Sequence, residues 1–263
     1  MRVVILPTAD DVAHYCAEQI IHQIQQKSNT VLGLATGSTP VASYQKLIQA
    51  CSKKEVSFAK VSSFNLDEYI GLESTHPQSY RNFMNQELFN HIDIKFENTH
   101  VPDGLSPDFE KSCQAYESLI LQKGGVDLQL LGIGENGHIG FNEPSSSLNS
   151  RTRVKTLSPQ TVANNARFFK VGETQPQLAV TMGIGTIMDA KKVVLLATGS
   201  QKKQAVANLI EGSISAFSPA SILQMHPKTM VIIDESAAEL LALNDYYLHI
   251  EDVQIKLSKH KNV

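Results

Sequence analysis

The stretch Thr30-Val31-Leu32-Gly33-Leu34-Ala35-Thr36-Gly37-Ser38-Thr39-Pro40 runs from apolar residues into a turn of small ones. Val41–Ala50 then resumes with helical spacing. Thr30–Leu34 reads as a buried strand, because a short apolar run bounded by turn residues suits a parallel sheet covered on both sides. Pro40 sits at the first turn of the helix, where its fixed φ and missing N–H cost nothing. The unit is therefore strand, tight turn, helix.

The same unit recurs in both directions along the chain. Val3–Leu6, Val61–Asn65, Asp127–Leu131, Lys192–Thr198 and Thr229–Ile233 read as further strands. Asp10–Gln26, Ser79–Phe89, Asp108–Leu121, Gln201–Ile210 and Glu235–Ala242 read as helices. In Asp10–Gln26 the apolar Val12, Ala13, Cys16, Ile20, Ile21 and Ile24 fall on one face. Alternation of strand and helix predicts an α/β fold with a parallel sheet between two helical layers. No repeat and no Pro/Gly/Ser-rich linker divides the chain. The polar segment Ser158–Gln177 has weak periodicity and reads as a mobile segment.

The 263 residues carry 23 Lys and Arg against 26 Asp and Glu, a net charge of −3, which removes the electrostatic case for nucleic acid. The longest apolar run, Val193–Ala197, is far below the ~18 residues that span a bilayer. Met1–Pro7 is too short for a signal-peptide core. Cys16, Cys51 and Cys113 form no CxxC pair and suit a reducing cytoplasm. No metal site is expected.

Ligands of open parallel sheets sit beyond the carboxyl ends of the strands. Four stretches follow strands here: Thr36–Thr39, Asp67-Glu68, Gly132–Glu143 and Gly199–Lys202. At the first, Gly37 allows close backbone approach, Ser38 and Thr39 bring hydroxyls, and a helix N-terminus favours a phosphate. An ordinary turn with a Ser/Thr cap would use the same residues. Asp67 and Glu68 are adjacent, so one of the two faces a site; a helix-start or salt-bridged pair is the plainer alternative.

Gly132-Ile133-Gly134-Glu135-Asn136-Gly137 matches a dinucleotide fingerprint, yet Pro144 follows soon after and Arg151–Leu157 is basic rather than acidic. Nicotinamide binding is therefore disfavoured, and the glycines are expected to let the backbone pass close to a small substrate. His138 and Glu143 are spaced for contact across a turn, which would orient the imidazole and raise its basicity. Lys202 near a helix start and Arg167 in the polar segment could reach an anion; each is otherwise a surface cation. An anion cradle with carboxylates and an imidazole suits proton transfer on a phosphorylated small molecule, without a cofactor.

Taken in order, Thr36–Pro40, Phe64–Tyr69, Gly132–Pro144, Ser150–Arg153 and Gly199–Lys202 resemble the glucosamine-6-phosphate deaminase family over nearly the whole chain. The resemblance implies a Rossmann-like three-layer α/β/α fold with a mostly parallel central sheet, one domain over residues 1–263, and a lid-like segment near 158–177. It implies conversion of glucosamine 6-phosphate and water to fructose 6-phosphate and ammonium. By resemblance Asp67 moves a proton between C2 and C1, and His138 opens the sugar ring with Glu143 orienting it. Asn136 stands where many members have Asp; it is expected to hydrogen-bond the imidazole without stabilising its cation. Gly37, Ser38, Thr39, Arg167 and Lys202 would hold the phosphate. Some members are hexamers activated by N-acetylglucosamine 6-phosphate. Their effector residues resemble Ser146, Arg153, Lys155 and Tyr247 here, implying a homo-oligomer with an interface site. No cofactor, membrane or nucleic-acid partner is implied, and the location is cytoplasmic.

Three other readings compete. A 6-phosphogluconolactonase shares the implied fold, but Phe141-Asn142-Glu143-Pro144 argues against it. A galactosamine-6-phosphate deaminase is not separated by sequence. A non-enzymatic sugar-phosphate sensor should have lost Asp67, His138 or Glu143, and all are present.

Overall fold

A computed structural model describes residues 1–158, 161–162, 169 and 175–260. The strands are β1 (Arg2–Leu6), β2 (Val31–Leu34), β3 (Ser62–Asn65), β4 (Asp67–Tyr69), β5 (Thr99–His100), β6 (Leu128–Leu131), β7 (Arg153–Thr156), β8 (Leu178–Thr181), β9 (Val193–Ala197) and β10 (Thr229–Asp234). The helices are α1 (Ala9–Gln26), α2 (Val41–Ser52), α3 (Tyr80–Glu87), α4 (Phe109–Gln122), α5 (Ile184–Met188), α6 (Lys203–Ile210), α7 (Glu235–Ala238) and α8 (Asn244–His260).

Seven strands form one sheet in the order β1-β10-β9-β6-β2-β3-β5. Every pairing in it is parallel. The predicted layers follow. Cys16, Ile20 and Ile24 of α1, Tyr44 and Leu47 of α2, and Met84 of α3 pack on one face with Leu32, Leu34, Leu128 and Leu130. Tyr116 and Ile120 of α4, Ile187 of α5 and Val206 and Leu209 of α6 pack on the other with Val31, Leu131, Val193 and Leu195. Strands covered on both sides read as continuous apolar runs, which is why these were legible.

A second sheet was not expected. It is antiparallel, in the order β4-β8-β7, with Asp67 opposite Thr181 and Arg153 opposite the same threonine. The chain leaves β3, crosses Leu66 and enters this sheet at Asp67. The C-terminal helix α8 was likewise unforeseen; it lies on β1, and Arg2 Nε donates to Glu251 Oε2 at 2.8 Å. The predicted helix Glu235–Ala242 ends at Ala238, and Ser79–Phe89 shortens to Tyr80–Glu87 because Ser79 is the N-cap.

The sheet order reverses at β2 and β6. From β2 the chain goes outward to β3, whereas β6 is followed outward by β9. The carboxyl ends of β2, β6 and β9 therefore open side by side, where such folds bind ligands.

Among the described residues no helix is long and apolar enough to cross a membrane. Nor does any group of three or more His, Cys, Asp or Glu there gather to hold a metal ion.

Candidate active site

A cavity of about 270 Å³ lies over these strand ends, lined by Gly37, Ser38, Thr39, Asp67, Tyr80, Gly132, His138, Thr161 and Lys202 among others. Gly37 has φ +90°, and nothing lies within 4 Å of where a Cβ would stand. This left-handed turn needs glycine, and its backbone is open. Pro40 holds the N-cap of α2 with no side-chain cap. The Ser/Thr-cap alternative therefore fails, and the first N–H groups of α2 stay available to an anion.

Lys202 ends a short 3-10 turn after β9, on Gly199, whose N–H is held by both oxygens of Asp234 at 3.0 Å. Burial pulls the Lys202 ammonium pKa down, against the pull of Glu135. Lys202 also lines a neighbouring cavity of about 390 Å³ with Ser38, Thr39, Glu135 and Gln201. A separate cavity of about 360 Å³, lined by Ile24, Cys51, Lys54 and Asp93 among others, holds none of the predicted site residues.

The carboxylates of Asp67 and Glu68 part company, as alternation along a strand requires. Asp67 lines the cavity and is buried, and no described residue donates a hydrogen bond to its carboxylate. Burial first, and the charge of Glu68 second, push its pKa up to about 8. Glu68 turns away and accepts the backbone N–H groups of Tyr69, Tyr80 and Arg81 at 2.8–2.9 Å. It thereby fixes the start of α3 and carries Tyr80 to the cavity, stacked on Phe141 at 5.9 Å.

The loop after β6 is a tight ring: Gly134 N donates to His138 O at 2.9 Å and Gly137 N to Gly134 O at 3.0 Å. A Cβ on Gly134 would fall 2.3–2.6 Å from the His138 ring. The imidazole thus packs directly on this glycine, which lines the cavity together with Gly132. His138 Nδ1 lies 3.4 Å from Glu143 Oε2, within ion-pair range but without the alignment of a hydrogen bond. Burial would raise Glu143; the facing His138 imidazole, with hydrogen bonds from Thr161 and Asn136, outweighs it and brings it down to about 2.

Asn136 also departs from expectation. Its amide donates to Glu143 Oε2 at 2.8 Å, and its carbonyl accepts the His138 backbone N–H at 3.1 Å. Asn136 thus serves the carboxylate and the loop rather than the imidazole. An Asp there would face Glu143 as a like charge without a proton to give.

Asn142 ties this loop to the second sheet: its Nδ2 donates to Ile139 O and Met182 O at 2.9 Å, and its Oδ1 accepts Arg153 Nη1 at 2.9 Å. Ser146 is buried, and among the described residues its hydroxyl has no hydrogen-bond partner. Lys155 lies two residues beyond Arg153 on β7, on the same face. Tyr247 lies apart on α8, beside Tyr246 at 5.9 Å and near Glu211, with its hydroxyl raised to about 12 mainly by burial. Arg167 and most of the 158–177 segment lie outside the described residues.

Sequence reading missed Tyr80, Thr161 and Thr181. Thr181 Oγ1 accepts Phe141 N at 3.1 Å. None carries a motif of its own; each matters through the carboxylate or loop that it meets in space.

The family model for glucosamine-6-phosphate isomerases/6-phosphogluconolactonase matches residues 7–232. The glucosamine-6-phosphate deaminase of Shewanella halifaxensis is 58% identical over 257 residues, covering 98% of each chain. A solved structure of a monomeric glucosamine-6-phosphate deaminase is 44% identical, with a TM-score of 0.89, over 91% of this chain and 100% of its own. The 6-phosphogluconolactonase of Trypanosoma cruzi shares the fold at a TM-score of 0.72 and 21% identity, over 92% and 97% of the two chains. The chain belongs to the glucosamine-6-phosphate deaminase family.

Proposed function

We propose that this protein converts glucosamine 6-phosphate and water to fructose 6-phosphate and ammonium. The observation that carries the reading is one cavity lined by an open Gly37–Thr39 turn, Lys202, a buried Asp67 and the His138 that faces Glu143. The turn and Lys202 bind the phosphate, and that remote binding energy orients the reacting end. Arg167 is assigned to the same phosphate by family resemblance. His138, held by Glu143, takes the proton of the C1 hydroxyl and returns it to the ring oxygen, opening the pyranose. Asp67 then carries the C2 proton to C1. A positioned base of this kind is worth typically ~10²–10⁴ in rate. Water replaces the amine at C2, which leaves as ammonium.

The finer reading follows the same family. The protein is a cytoplasmic homo-oligomer, with N-acetylglucosamine 6-phosphate as effector at Ser146, Arg153, Lys155 and Tyr247. In support, Arg153 hydrogen-bonds Asn142, next in sequence to Glu143, so a ligand on Arg153 would act on the catalytic loop. Rate curves that are hyperbolic and indifferent to the acetylated sugar phosphate would remove the effector.

The test of the activity is ammonia release from glucosamine 6-phosphate by metal-stripped protein, with fructose 6-phosphate measured in parallel. Equal amounts of both are expected. Preference for galactosamine 6-phosphate would change the epimer, and hydrolysis of 6-phosphogluconolactone alone would overturn the reading.

A further inference from the structure

We propose that Thr161 is a positioning residue for the acid–base pair: its hydroxyl, seconded by that of Ser158, fixes one oxygen of Glu143 so that the other is presented to the His138 imidazole. The inference rests on the reading of His138 and Glu143 as the ring-opening pair.

The two oxygens of Glu143 have separate partners. Oε2 accepts Asn136 Nδ2 at 2.8 Å and faces His138 Nδ1 at 3.4 Å. Oε1 accepts the Thr161 hydroxyl in a short hydrogen bond, and Ser158 Oγ lies 3.3 Å from it. A carboxylate bound on one side alone can rotate and offer either oxygen; one bound on both sides is fixed in plane. Thr161 is itself held in place. Its N–H donates to Ser158 Oγ at 3.1 Å, Val162 N donates to Ser158 O at 3.0 Å, and Val162 packs beside Tyr69, Tyr80, Phe141 and Leu157. Thr161 is buried and lines the cavity, so its hydroxyl is aimed inward.

Charge supports the same role. Among the described residues the titratable group facing Glu143 is His138, while Asn136, Ser158 and Thr161 are neutral donors. Arg153 is turned to Asn142 and Lys202 is coupled to Glu135. Removing the threonine hydroxyl would leave a buried carboxylate oxygen short of a donor, which favours its protonated form. A protonated Glu143 no longer supports an imidazolium.

Thr161→Val keeps the shape and removes the hydroxyl; Thr161→Ser keeps the hydroxyl. Full-length protein labelled at the glutamate carboxyl carbon reports Glu143 by NMR without substrate, its signal identified by loss in Glu143→Gln. Thr161→Val is expected to raise the Glu143 midpoint by about one unit, since one lost hydrogen bond to a charge has that order of effect. Thr161→Ser should restore it. In turnover, kcat should fall roughly tenfold in Thr161→Val with KM within about threefold. A folded Thr161→Val with an unmoved midpoint overturns the proposal. If that variant does not fold, Ser158→Ala should raise the midpoint by about half a unit, and an unmoved midpoint there overturns it equally. A moved midpoint with no deaminase turnover in the parent protein would leave the clamp standing and remove the ring-opening reading instead.

Discussion

Asp67 and Glu68 are neighbours on one short strand with opposite duties: Asp67 lines the cavity with no donor to its carboxylate among the described residues, and Glu68 faces away to hold three backbone N–H groups at the start of α3. The second carboxylate keeps the first protonated longer than burial alone would. Asp67 therefore has a folded pKa, about 8, above its unfolded value. A carboxyl raised in this way favours the fold fully below about pH 4, and that contribution is lost as pH rises toward 8. Asp67→Asn should accordingly become more stable than the parent across this window, by an amount on the order of 5 kcal/mol at its upper end. It should also lose at least ~10³ in kcat while still binding inorganic phosphate. Thermal melts at pH 4 and pH 8.5 check the first half, and near-full turnover would show that Asp67 is not the base.

Because the proposed base must be ionised to act, kcat/KM should rise with pH, pass half its maximum near 8 and level off above it. Glu68→Gln removes the neighbouring charge and should move that limb to lower pH. A limb that stays in place would assign it to another group.

Glu143 behaves in the reverse sense. Its pKa is held at about 2, so it stabilises the fold above its unfolded value near 4 and ceases to do so as pH falls toward 2. Glu143→Gln should cost about 1–2 kcal/mol at pH 7, and much less at pH 3. Urea unfolding at the two pH values measures this difference. In turnover the loss should fall on kcat more than on KM, since the carboxylate supports the imidazole and not the phosphate.

Gly134→Ala places a methyl 2.3–2.6 Å from the imidazole atoms, so the ring must move. We expect kcat to fall ~10²-fold, the effect of a reacting group misplaced by about an ångström. Inhibition by inorganic phosphate should be unchanged, because the Gly37–Thr39 turn and Lys202 are on other strand ends. Weakened phosphate inhibition would show that the loop, and not the imidazole alone, had shifted.

Lys202→Met should raise KM roughly 10–100-fold and change kcat little, as expected for a contact made equally in ground and transition states. A fall in kcat with unchanged KM would take Lys202 out of the phosphate site.

The parallel sheet was legible because Val31–Leu34, Leu128–Leu131 and Val193–Ala197 are apolar on both faces and end in glycine-bearing turns. The residues after those turns could be named for the same reason. The second sheet was not legible. β4 is three residues long and two of them are acidic, and β7 is Arg-Val-Lys-Thr, half exposed. Its strands are made by pairing partners distant in sequence, Asp67 with Thr181 and Thr181 with Arg153. The role of Asn136 was misread for a related reason. Spacing shows that groups can meet, but not which atom of an amide turns inward.

The second sheet has a consequence for how such an enzyme changes over time. Leu157 N donates to Gln177 O at 2.9 Å, directly beside the β7–β8 ladder. The stretch between those two residues is thus spliced into the molecule through a closed seam. Lengthening an insertion costs little once its ends are joined, since closure entropy grows only with the logarithm of length. Apart from Ser158, Thr161 and Arg167, the sequence between the seam's lips can be rewritten as an exchangeable cassette, while β8 keeps Asp67 in register on its other edge. Lineages can lengthen or shorten this stretch without disturbing the pairing that holds Asp67.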